Sequence, residues 1–223
     1  MLYLINNHSM KITIGPKHLE REFTFTIPEV DNIGIFMSGG LDSSAMLTLI
    51  LKELVETNRL KTVSLNAFTL EKPTGEPLYA TRILKKFEDH FQVNIMHVNN
   101  IPNTEEAIRQ GRMASTVIVE TCKQFNGLMY LSGNNMPPPD IKIFKGGLGF
   151  TYKQTPLYQQ PFLNLLKPHM TDILYKLATD FIIPYTHSCS RQLIGKCNTC
   201  YSCEERSWGF EELGLADPET IDL

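Results

Sequence analysis

From residue 33 onward, short apolar runs alternate with longer stretches that carry apolar residues at helical spacing. Ile33-Gly34-Ile35-Phe36-Met37 reads as a short buried strand. Ala45, Met46, Leu47, Leu49, Ile50 and Leu51 then read as a buried helix over Ala45 to Leu60. Thr62 to Phe68 predicts a second strand. Tyr79, Ile83, Phe87 and Phe91 mark a helix over Tyr79 to Phe91, and Val93 to Val98 a third strand. Glu105 to Phe125 reads as another helix with a break at Gly111, and Gly127 onward as a fourth strand running into polar Ser132 to Asn135. This alternation implies an α/β fold, with parallel strands and helices on both faces of the sheet. Ligands of such sheets bind beyond the carboxyl ends of the strands.

The flanks pattern differently. Leu2 to Ile5, Lys11 to Ile14 and Phe23 to Ile27 read as short strands, broken at Asn6-Asn7 and Gly15-Pro16 and closed by Pro28. They predict an antiparallel flap or an extra sheet edge with a packing role. Pro137-Pro138-Pro139 and Gly146-Gly147 bound a segment without periodicity, either a substrate lid or a plain connection. The expected organisation is a β extension over 1–32, an α/β domain over 33–180 and a small C-terminal segment over 181–223.

Chemistry enters between the first strand and the first helix, at Ser38-Gly39-Gly40-Leu41-Asp42-Ser43-Ser44. Glycines let backbone N–H groups approach an anion, hydroxyls add donors, and the helix N-terminus adds partial positive charge. A simple helix cap needs one aspartate or serine. It needs neither the glycine pair nor three serines, so the phosphate cradle is the reading kept. No Gly-Lys-Ser/Thr follows and the Gly-x-Gly-x-x-Gly spacing is missing, so the loop is neither a Walker A loop nor a dinucleotide fingerprint. Backbone groups near Asn66 and Phe68, at the next strand end, either face an adenine or form an ordinary strand-to-loop transition. Arg112 is either a solvated helix residue or a fork of donors for an oxyanion. Cys122, alone in a helical run, reads as a small core residue.

The remaining cysteines, Cys189, Cys197, Cys200 and Cys203, follow C-x7-C-x2-C-x2-C. Tight Cys-x-x-Cys turns bring thiolates to one side, so four can surround a tetrahedral Zn²⁺ with no open position. A redox pair or an iron–sulfur cluster is the alternative. His187 reads as a neighbour of the cluster rather than a ligand.

Composition narrows the function classes. The 21 basic and 24 acidic residues give a net charge of −3, which argues against dependence on a nucleic-acid backbone. No apolar run approaches the roughly 18 residues of a membrane span, and the first residues lack a signal-peptide pattern. Clustered cysteines fit metal in a reducing compartment, so a cytoplasmic protein is expected.

The loop resembles the PP-loop of N-type ATP pyrophosphatases. Further matches are Pro161 to Lys167, Ile183 to Cys189, Gly195 to Cys203 with Arg206, and Gly209 to Pro218. Together they resemble the 7-cyano-7-deazaguanine synthase family of the queuosine pathway. That resemblance implies an adenine nucleotide alpha hydrolase-like fold with a C-terminal zinc-binding segment of four cysteines. It implies ATP, Mg²⁺ and Zn²⁺ as cofactors, a deazapurine carboxylate and ammonia as small-molecule substrates, a homodimer, and release of AMP and pyrophosphate. Ser38, Gly39, Gly40, Leu41, Asp42, Ser43 and Ser44 would hold the pyrophosphate end of ATP, with Asp42 organising Mg²⁺. Lys167 and Arg112 would stabilise charge near the phosphates. Two segments depart from the family pattern: Asn66-Ala67-Phe68-Thr69 after the second strand, and Gln110-Gly111-Arg112-Met113. They leave room for a PP-loop enzyme acting on another acceptor, such as RNA thiolation or amidation. A non-enzymatic zinc-ribbon module is the third reading; it leaves the loop unexplained.

Overall fold

A computed structural model describes residues 9–71, 75–101, 113–132 and 158–218. The strand expected over Leu2 to Ile5, Arg112 and the Pro/Gly-rich segment lie outside the described residues.

Strands β1 (Met10–Ile14) and β2 (Arg21–Phe25) pair antiparallel, with Met10 opposite Phe25 and Ile14 opposite Arg21. Met10, Ile14, Phe23 and Phe25 are buried while their neighbours face outward, the period-two pattern of a one-sided ribbon. The hairpin is its own two-stranded sheet, so it is a flap and not an edge of the main sheet.

The main sheet comprises β3 (Asn32–Phe36), β4 (Ser64–Leu70), β5 (Ile95–Ile101), β6 (Leu128–Tyr130) and β7 (Tyr158–Gln159). Its order is β5-β4-β3-β6-β7, with every pairing parallel. The chain leaves β3 toward β4 on one side and returns to β6 on the other, so the strand order reverses beside β3. The loop after β3 therefore opens at the topological switch point, where such sheets bind ligands.

Among the described residues, six helical segments surround the sheet: α1 (Leu41–Glu56), α2 (Glu76–Phe91), α3 (Met113–Gln124), α4 (Lys167–Lys176), a 3-10 segment (Asp180–Tyr185) and α5 (Tyr201–Glu211). Helix α1 is buried along most of its surface, because α4 packs on it. Thr48 and Thr179 satisfy each other there through a 2.9 Å hydroxyl pair. Each fully buried Leu or Ile of α1 contributes about 1.5–3 kcal/mol of transfer free energy. Phe68, Cys122, Met129 and Leu131 form a second, smaller core, so Cys122 is the core residue its isolation predicted.

Several boundaries differ from those expected. Helix α1 starts at Leu41 rather than Ala45, with extended Gly40 as its cap, because polar Asp42, Ser43 and Ser44 already form its first turn. It ends at Glu56 rather than Leu60, where Asn58 takes a left-handed φ of 56° and the Leu60 N–H turns back to the Leu54 carbonyl. Strand β4 runs on to Leu70, which puts Asn66 and Phe68 inside the strand rather than at its end. Strand β7 and the 3-10 segment are too short to show a period.

Candidate functional site

Past Phe36 the chain stays on the sheet for one more bond, Met37 N–H to the Phe68 carbonyl at 2.9 Å. It then turns sharply. Gly39 sits at φ +75°, and a Cβ there would stand 2.5 Å from Tyr79 Cβ, so the backbone lies directly on α2. Only glycine meets both demands. The Gly40 carbonyl accepts from the Ser43 and Ser44 hydroxyls at 3.1 and 2.9 Å. Ser38 N–H donates to Ser43 Oγ, and Gly40 N–H to Ser38 Oγ, both at 3.3 Å. These long bonds hold the loop's shape, yet a stronger oxyanion acceptor can displace them.

Lys167 comes to this loop from the first turn of α4. Its Nζ lies 2.6 and 2.7 Å from the two Asp42 carboxylate oxygens and 2.9 Å from Glu205 Oε2. The lysine stem crosses α5 at Gly209, where a Cβ would stand 2.6 Å from Lys167 Cγ. Burial alone would push the ammonium down, but the Asp42 and Glu205 carboxylates outweigh it and hold Lys167 above its ordinary value. Burial pushes Glu205 up, against the pull of Lys167. Two carboxylates thus share one ammonium at the floor of a cleft.

Ser38, Gly40, Asp42 and Lys167 line one side of that cleft, and Ser188, Ser190 and Ser202 line another. The C-terminal segment is fixed there by several bonds. His187 N–H donates to the Gly39 carbonyl at 2.8 Å, and its ring stacks on Tyr79 with centroids 4.3 Å apart. Buried Arg206 donates to Thr186 Oγ1 at 2.7 Å and forks onto Asp217, which also pairs with Lys196.

Two residues beyond His187 begins the cysteine group. The thiol sulfurs of Cys189, Cys197, Cys200 and Cys203 all lie within 4.8 Å of one another, and three of the four are buried. Zn–S bonds of about 2.3 Å put tetrahedral sulfurs roughly 3.8 Å apart, so the group fits a single ion. An iron–sulfur cube would insert iron and sulfide between thiolates and spread them further. Hydrogen bonds from Thr199 pull the half-buried Cys197 thiol down to about 6, while burial pushes Cys203 up to about 12. His187 is not one of the group.

The structure thus joins the loop, Lys167 and the cysteine segment around one cleft. Glu205 was not anticipated. Its signal was faint: it lies four residues before Gly209, and so on the same face of α5.

The five-stranded parallel sheet, with its Ser-Gly-Gly-x-Asp-Ser-Ser loop after β3 at the switch point, defines an open parallel α/β fold with an anion-binding loop. A curated 7-cyano-7-deazaguanine synthase from Persephonella marina is 25% identical over 225 residues, covering 84% of this chain and 95% of that protein. Among solved structures, NMN synthetase from Francisella tularensis aligns at 14% identity and a TM-score of 0.43, covering 86% of this chain and 91% of the other. A U34-tRNA thiolase from Methanococcus maripaludis, solved with its 4Fe–4S cluster, aligns at 16% identity and 0.42, covering 80% and 63%. No family model matches the chain. Among the described residues, no helix is long and apolar enough to cross a membrane.

Proposed function

We propose that the chain is an ATP-dependent ligase of the 7-cyano-7-deazaguanine synthase type, which adenylates a deazapurine carboxylate and converts it with ammonia to an amide and then a nitrile. The observation that carries this reading is the Lys167 ammonium clamped against Asp42 at the mouth of the PP-loop. The similarity to the Persephonella marina synthase supports the choice of acceptor.

In this reading the backbone N–H groups of Gly39 and Gly40 and the hydroxyls of Ser38, Ser43 and Ser44 bind the β- and γ-phosphates as a leaving group. The substrate carboxylate oxygen attacks the α-phosphorus, the bond to the β-phosphate breaks, and pyrophosphate departs. Ammonia then attacks the acyl carbon, AMP leaves and a proton is lost, giving the amide. A second ATP activates the amide oxygen, and loss of AMP and two protons gives the nitrile. Lys167 faces the charge that builds on the departing oxygen, a preorganised electrostatic role. Mg²⁺, when bound, neutralises the polyphosphate, and Asp42 is the carboxylate placed to hold it. Cys189, Cys197, Cys200 and Cys203 would hold Zn²⁺ with all four positions filled, so the metal is structural and fixes the cleft wall that carries Ser188 and Ser190. No nucleophilic side chain is required; positioning does most of the work.

The test is mass spectrometry after incubation with ATP, Mg²⁺, ammonium and 7-carboxy-7-deazaguanine. Masses of the amide and the nitrile are expected, both dependent on ammonium. Unchanged acid alongside AMP formation would assign the activation to another acceptor, and no nucleotide cleavage would overturn the enzyme reading.

A further inference from the structure

Lys167 is held by two carboxylates that differ in kind. Asp42 belongs to the loop, lines the cleft and has a side chain 27% exposed. Glu205 belongs to α5 and also borders the cleft, but it is only 9% exposed and is itself tied by the Tyr201 hydroxyl, which donates to Oε1 at 3.2 Å and leaves Oε2 for Lys167. One partner is placed to change ligands and the other is not. The three groups together carry one net negative charge, so a bare polyphosphate meets repulsion and enters with a cation.

A divalent cation takes oxygen ligands and competes with the ammonium for Asp42. Sharing one monovalent carboxylate would press two cationic centres together. When Asp42 turns to the metal, a buried ammonium with no second partner would be strongly disfavoured. Glu205 removes that conflict. We propose that Glu205 is a positioning residue that keeps the Lys167 ammonium at the phosphate site while Asp42 is drawn to the cation of a metal–nucleotide complex, an inference that rests on reading the cleft as an ATP site. Backbone geometry supports it. Lys167 is fixed at the start of α4, and Gly209, one turn beyond Glu205 on α5, leaves the channel through which its stem passes. The ammonium therefore has a short arc of travel, from Asp42 toward the phosphates held by Gly39 and Gly40, with Glu205 constant throughout.

The experiment compares the full-length wild type with Glu205→Gln and Glu205→Asp. Pyrophosphate release is followed against Mg²⁺ and ATP concentration, and magnesium pyrophosphate binding is measured by calorimetry. Glutamine keeps the size but removes the charge, leaving Asp42 as the sole anion for Lys167. The expected result is a kcat lower by about 10–100-fold, a half-saturating Mg²⁺ concentration raised several-fold, and a KM for ATP within about threefold of wild type. Glu205→Asp should recover much of the loss. Glu205 lies close to the cysteine group, so each variant is compared at wild-type metal content and thermal stability. Should Glu205→Gln not fold, Tyr201→Phe, which frees Oε1, should raise the Mg²⁺ requirement in the same direction by a smaller factor. An unchanged Mg²⁺ dependence in the folded variant, or Glu205→Asp as impaired as Glu205→Gln, would overturn the role. Wild-type protein that binds no magnesium pyrophosphate would instead strike at the ATP reading itself.

Discussion

Asp42 and Lys167 lie 125 residues apart in the chain and meet at 2.6 Å. Removing either has a different expected outcome, because each leaves a different charge behind. Asp42→Ala leaves Lys167 with Glu205, so the fold should survive while turnover falls about a hundredfold or more. Lys167→Ala leaves two carboxylates facing each other without a counter-charge. That should lower stability by on the order of 3 kcal/mol, the usual cost of breaking a buried pair from one side. Thermal unfolding beside pyrophosphate release separates the two; equal stability loss in both variants would contradict the charge assignment. The loop residues were legible in the sequence because their chemistry is local: glycines, hydroxyls and one acid within seven positions. Glu205 was not, because nothing near it in sequence shows that α5 will lie over the stem of Lys167.

At the scale of elements, the first turn of α1 explains why the sequence placed that helix too late. Asp42, Ser43 and Ser44 interrupt the apolar pattern, yet Ser43 and Ser44 are fully buried because the Gly40 carbonyl satisfies their hydroxyls. A hydropathy pattern cannot see that satisfaction. Two of the cysteines sit where helix α5 begins, Cys200 at its N-cap position without a side-chain cap bond and Cys203 in its first turn. If the four thiolates hold Zn²⁺, purified protein should carry about one equivalent per chain. Structural zinc in small domains contributes on the order of 10 kcal/mol, so Cys200→Ser should fold poorly and aggregate. Lys167 should lose Glu205 with it. Metal-free protein with undiminished thermal stability would contradict the structural assignment, and elemental analysis paired with unfolding curves decides it.

On the whole-molecule scale, the flap is fastened to the α/β part of the chain through α4. His169 Nδ1 accepts the Leu166 N–H at 2.9 Å, so its Nε2–H donates to the Leu19 carbonyl at 2.8 Å. Asp172 accepts the Gly15 N–H at 2.7 Å beside it. Burial holds the His169 imidazole below its ordinary value of 6.5, with the bond to the Leu19 backbone opposing that shift. The unfolded chain therefore binds the proton first on acidification. The contribution of His169 is complete above about pH 6.5 and is lost as pH falls through the lower folded value. Stability should fall as pH drops below about 6.5, and His169→Gln, though less stable at pH 7.5, should show a shallower slope there. An identical slope in both proteins would exclude His169 as a source of the pH dependence. The alternation of strands and helices made the parallel sheet legible, but not the fastening. The flap's contacts with α4 join residues roughly 150 positions apart. In the proposed reaction this loop grips a leaving pyrophosphate while attack falls on the α-phosphorus. Phosphorus NMR of the nucleotide products, with wild-type protein, ATP, Mg²⁺, ammonium and the carboxylate, tests it most directly. AMP and pyrophosphate in equal amounts, nearly abolished in Asp42→Ala, are expected; ADP and inorganic phosphate would contradict it.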